Sequence, residues 1–114
     1  MKEIKAYVRP VKMPEILHHL EAAGAREITA IRVQAIGALA DPRADRRRLV
    51  RSLPEPYSDV VKIEMVCRAE KTEERVRILR THGHTGARGD GRIFVSSVER
   101  AINIRTGAEG EDAL

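Results

Sequence analysis

Four stretches of this 114-residue chain alternate apolar and polar residues with a period of two, and two stretches between them repeat apolar residues at helical spacing. That order constrains the fold more than any other feature. In residues 2–9, Ile4, Ala6 and Val8 share one face while Lys5, Tyr7 and Arg9 share the other, the pattern of a half-buried strand. Pro10 has no N–H and ends the ladder. Pro14 suits the first turn of a helix over 13–24, and Glu15 complements its dipole. Ile16, Leu17, Leu20 and Ala23 form the buried stripe, and Gly24 supplies a stop. Residues 28–36 read as a second strand, with Thr29, Ile31, Val33 and Ala35 on one face, ended by Gly37. Residues 60–68 form a third, in which Val61, Ile63, Met65 and Cys67 alternate with Lys62, Glu64, Val66 and Arg68. Thr72 is expected to cap a helix reaching about His82, with Val76 and Leu79 on its buried stripe and Gly83 just past its end. Residues 92–96 give a short strand and 101–105 a further extended piece.

The order is β-α-β-β-α-β. Two right-handed crossovers place both helices on one face of a four-stranded antiparallel sheet. The expected fold is α+β and ferredoxin-like, in a single domain over 1–114. The other sheet face also carries apolar residues, with Ile28, Ile36 and Val66 assigned to it, and an unshielded apolar face suggests association of copies. Residues 37–58 show no clean period and contain Pro42, Pro54 and Pro56. A loop of that length in so small a domain is generally functional or disordered.

Composition bounds the function. The three aromatics, Tyr7, Tyr57 and Phe94, are too few for a single-strand nucleic-acid binder built on stacking. The net charge of +4 is mild, and its distribution says more. Arg43, Arg46, Arg47, Arg48 and Arg51 crowd the long loop, while the tail, about 107–114, carries Glu109, Glu111 and Asp112 and no base. The two segments are able to meet each other or an outside partner. A lone Cys67 builds no disulfide framework, which points to a reducing cytoplasm. No apolar stretch is long enough to insert in a membrane, and the charged opening Met1-Lys2-Glu3-Ile4 is unlike a secretory signal. His18 and His19 diverge on a helix, and His82 and His84 flank Gly83. Without matched ligand spacing these read as surface or helix-end histidines, and no metal is expected.

Chemistry concentrates in Thr85-Gly86-Ala87-Arg88-Gly89-Asp90-Gly91-Arg92, where three glycines fall within six residues. Glycine permits positive φ and close backbone approach, and successive N–H groups in such a turn converge on an anion. Arg92 adds charge at the exit, and Arg105 is expected beside it on an adjacent strand. The competing reading is a plain glycine-rich turn. The segment is neither a Walker loop nor a dinucleotide fingerprint, because its glycine spacing and its lead into a strand are both wrong.

Residues 85–95, the ending Ile102-Asn103-Ile104-Arg105-Thr106-Gly107, the opening Lys2-Glu3-Ile4 with Arg9-Pro10, and Val61-Lys62-Ile63-Glu64 together resemble the PII signal-transduction proteins. The resemblance spans nearly the whole chain and breaks only in the long loop. It implies a non-enzymatic regulator: a compact homotrimer with an adenine nucleotide (ADP, AMP or ATP) in each cleft between subunits. It also implies that the long loop, with its arginines, binds and regulates a target such as a transporter or a metabolic enzyme. Carried over by position, Gly89, Asp90, Gly91 and Arg92, with Arg105, face the phosphates. Thr29, Glu64 and Val66 contact base or ribose, and Ile36 and Gly37 sit close to the nucleotide at the loop base. Leu39 stands where the family has a glutamine that helps hold magnesium and 2-oxoglutarate, and it offers no oxygen to a hard cation. Val60 replaces a lysine that meets the 2-oxoglutarate carboxylate, and Asn103 replaces an arginine. These departures imply loss of the family's 2-oxoglutarate sensing, no secure place for magnesium, and weaker triphosphate binding.

Two readings of other classes compete. One is a small phosphate-processing enzyme of the same fold, with Asn103 and either Arg92 or Arg105 as its anion and water site; a fold alone confers no activity. The other is a nucleic-acid binder using the loop arginines, against which the lack of neighbouring aromatics counts.

Overall fold

In the computed structural model, residues 1–37 and 57–114 are described. The period-two runs become strands β1 (Lys2–Val8), β2 (Thr29–Ile36), β3 (Tyr57–Cys67) and β4 (Gly91–Ser97), and the helical stripes become α1 (Met13–Ala22) and α2 (Thr72–Gly83). The sheet is antiparallel throughout, in the order β2-β3-β1-β4. This is the ferredoxin-like arrangement, with both helices on one face. The loop arginines Arg43, Arg46, Arg47, Arg48 and Arg51, and Leu39, lie outside the described residues.

Ile4, Ala6 and Val8 on β1 and Val61, Ile63 and Met65 on β3 meet Ile16, Leu20 and Leu79 from the helices in one core. Ile4, Ile16, Leu20 and Ile63 have no exposed surface, and each such side chain contributes roughly 1.5–3 kcal/mol on burial. Helix α1 ends as Gly24 predicts. Gly24 takes φ +85°, and the Ala25 amide donates across it to the Leu20 carbonyl at 2.9 Å, the bond of a Schellman stop. A second device has no signal in the sequence: Arg75, buried in α2, donates from Nη1 to the Ala23 carbonyl at 2.7 Å. Among the described residues no helix is long and apolar enough to cross a membrane.

Three local expectations change. Thr72 does not cap α2; a 3-10 turn at Ala69–Lys71 leads in, and Thr72 is buried as the first α-helical residue. Ile28 packs against the core, and Ile36 falls in register with the helix-side positions Ala30 and Arg32. The open face is instead set by the other parity, through Ile31, Val33, Val66, Tyr7 and Phe94. Finally, residues 101–105 do not form a strand beside β4. Asn103 Oδ1 accepts from the amides of Arg105 and Thr106 at 3.0 and 3.1 Å, and this side-chain cap bends the chain into a turn closed by the Ile102–Glu109 bridge.

Candidate functional site

The 85–92 loop joins α2 to the edge strand β4, and Asp90 organises it. Its carboxylate accepts from the Thr85 amide and the Gly86 amide, each at 2.8 Å, from the Thr85 hydroxyl, and from Arg9 Nε at 2.9 Å. Arg9 reaches on to the Arg88 carbonyl at 2.7 Å, so β1 and the loop are tied from both sides. Partial burial disfavours the charged carboxylate, but the Thr85, Arg9 and Gly86 hydrogen bonds outweigh it and hold Asp90 well below the usual carboxylate range.

The glycines divide the remaining work. Gly91 takes φ +110°, and a Cβ there would lie 1.7 Å from the Tyr7 carbonyl oxygen. Only glycine allows β4 to approach β1 at this point. Gly89 takes φ +96°, and among the described residues the Arg88 and Gly89 amides have no acceptor. Arg92 follows, exposed and without a carboxylate partner among the described residues. Asp90 therefore serves the loop with its own oxygens; a guanidinium beside free backbone amides is chemistry that suits an anion. A cavity of about 410 Å³ adjoins them, lined in part by Tyr7, Leu79, Gly83, Asp90 and Arg92.

The other candidate residues lie elsewhere on the sheet. Thr29 pairs with Glu64 across β2 and β3, and Val66 lies two residues further along the same face. Glu64 is bridged to Lys62 at 3.1 Å, which raises the Lys62 pKa above its ordinary value. Ile36 and Gly37 lie at the far end of β2, beyond the row in which Ile31, Lys62, Tyr7 and Arg92 stand side by side. Because β2 and β4 are opposite edges, Arg92 is three strand spacings from β2, about 14 Å. One chain thus brings together Thr29, Glu64 and Val66, and separately Gly89, Asp90, Gly91 and Arg92, but does not join the two groups. Arg105 is exposed in its turn and belongs to neither strand set. The acidic tail meets the body, through Glu109 to Arg100 at 2.8 Å and Glu111 to Arg68 at 2.7 Å. Sequence reasoning missed Arg9, whose link to Asp90 spans 81 positions; the basic residue closing β1 was its only signal.

Fold and site together define a small ferredoxin-like α+β protein with a stapled, anion-suited loop on one sheet edge. The family model for nitrogen regulatory protein P-II matches residues 1–108. Over their full lengths the chain is 36% identical to the nitrogen regulatory protein P-II of Bradyrhizobium diazoefficiens and 37% identical to that of Cereibacter sphaeroides. It is 35% identical to nitrogen regulatory protein P-II 2 of Methanothermobacter thermautotrophicus, covering all of this chain and 97% of that one. The chain belongs to the P-II family of nitrogen regulatory proteins, and is a signal-transduction regulator in that sense.

Proposed function

We propose that this protein is a homotrimeric, non-enzymatic nucleotide sensor. An adenine nucleotide, ADP, AMP or ATP, sits in the cleft between copies, and the 37–58 loop passes its state to a target in the cytoplasm. The observation that carries this reading is the division of the candidate residues between opposite edges of one sheet. Gly89, Gly91 and Arg92 on one copy suit the phosphates; Thr29, Glu64 and Val66 on the next suit base and ribose. Asp90 acts by holding the loop in shape, and Arg105 adds charge from its turn. Different nucleotides stabilise different loop conformations by no more than their difference in affinity for each.

Leu39, Val60 and Asn103 remove one oxygen ligand and two cations from the family pattern. Accordingly, 2-oxoglutarate and magnesium have no required role, and ADP or AMP competes with ATP. Titration calorimetry with each nucleotide tests this. Binding at one site per chain is expected, weakened at least about tenfold by Arg92→Ala, the scale of one charge-assisted contact. Magnesium-dependent synergy between ATP and 2-oxoglutarate, or unchanged affinity in Arg92→Ala, contradicts it.

A further inference from the structure

Helices α1 and α2 pack against each other, and their flanks bring together three side chains far apart in sequence. Glu15 and His19 stand four residues apart on α1, one above the other on the same side. His82 comes from the last turn of α2. Its Nδ1 lies 2.8 Å from Glu15 Oε1, and its ring stacks on that of His19 with centroids 3.6 Å apart and planes 9° from parallel. One donor atom from each residue lies within 4.8 Å of the other two. His18 stands edge-on to His19, its ring centroid 5.2 Å away. We propose that Glu15, His19 and His82 form a site for a divalent transition-metal ion of zinc-like preference, bridging the two helices.

The donor set carries this assignment. Two imidazoles and one carboxylate make an open zinc site, with water in the fourth position. Imidazole also suits copper and nickel, whereas a single carboxylate is too poor in oxygen for calcium. Tetrahedral ligands about 2.0–2.2 Å from zinc stand roughly 3.3–3.5 Å from one another. The three donor atoms, all within 4.8 Å of one another, lie near that spacing, and binding requires the stacked rings to turn so that their lone pairs converge on the ion. Lys12 Nζ, 3.3 Å from Glu15 Oε2, is the cation a metal must compete with. The site lies on the helix layer and shares no residue with the nucleotide reading, which it goes beyond.

The test uses the full chain at neutral pH. Cobalt(II) is titrated while its ligand-field absorption is followed, and zinc is titrated in competition with a chromophoric chelator. One ion per chain is expected, with intense tetrahedral cobalt bands and no thiolate charge-transfer band. His19→Ala and His82→Ala are each expected to weaken binding at least tenfold, while His84→Ala and Cys67→Ser leave it unchanged. Zinc is expected to raise the melting temperature of the parent chain, by mass action on the folded form, and not that of the two histidine variants. Glu15→Gln, an exposed change, gives the answer if either histidine variant fails to melt cooperatively: at least tenfold weaker binding supports the site, and unchanged binding overturns it. No stoichiometric uptake by the parent, affinity unchanged in both histidine variants, or equal loss in His84→Ala overturns it too.

Discussion

Asp90 shows how one side chain shapes a whole loop. It accepts from Thr85, Gly86 and Arg9 at once, and those bonds favour its ionised form in the folded state only. An unfolded aspartate titrates at about 3.9. With the folded value lower, the stabilisation is fully present above that pH and is lost as pH falls toward the folded value. Asp90→Asn preserves size but supplies an N–H where donors already point. It is expected to lower the unfolding free energy by about 1–3 kcal/mol at neutral pH. Urea titrations at descending pH check this: the gap between parent and variant is expected to narrow below about pH 4, and a constant gap contradicts the role assigned to the carboxylate.

At the scale of elements, the C-terminal end of α1 is secured from outside as well as by its own glycine. Arg75 brings a positive charge and a donor to the Ala23 carbonyl, where the helix dipole is negative. Arg75→Met keeps most of the stem packing and removes the bond. A loss of about 1–3 kcal/mol is expected, with faster amide exchange over residues 20–25 as the local signature; unchanged exchange there refutes it. Most elements were legible because their period follows from which face is buried: Ile4, Ala6 and Val8 mark β1, and Ile16 and Leu20 mark α1. Pairing register was less legible. Ile28 and Ile36 look like open-face residues until β2 is set against β3, which turns their parity toward the helices. Residues 101–105 look extended, but Asn103 offers the backbone a local acceptor that competes with any strand. The loop glycines were legible as glycines, while the need for Gly91 depends on the Tyr7 carbonyl across the sheet. The His19–His82 stack joins two helices through the fold alone, so the neighbouring pairs His18–His19 and His82–His84 carried no sign of it in the sequence.

Across the whole molecule, the sheet has one face on which no helix packs among the described residues. Ile31 and Phe94 there are 40% and 50% exposed, and apolar surface of that kind favours burial against another copy. The same face carries Thr29 and Glu64 toward one edge and Arg92 at the other, so assembly and ligand binding become one problem. Mixing chains tests that link most directly. Arg92→Ala and Glu64→Ala chains, each weak in nucleotide binding alone, are unfolded together, refolded as mixed assemblies and titrated with ADP. If each cleft takes Arg92 from one copy and Glu64 from the next, some clefts in the mixture contain both native residues, and a fraction of parent-affinity sites returns. If mixing restores no such sites although mixed assemblies form, the two groups do not meet between copies and the shared cleft is contradicted.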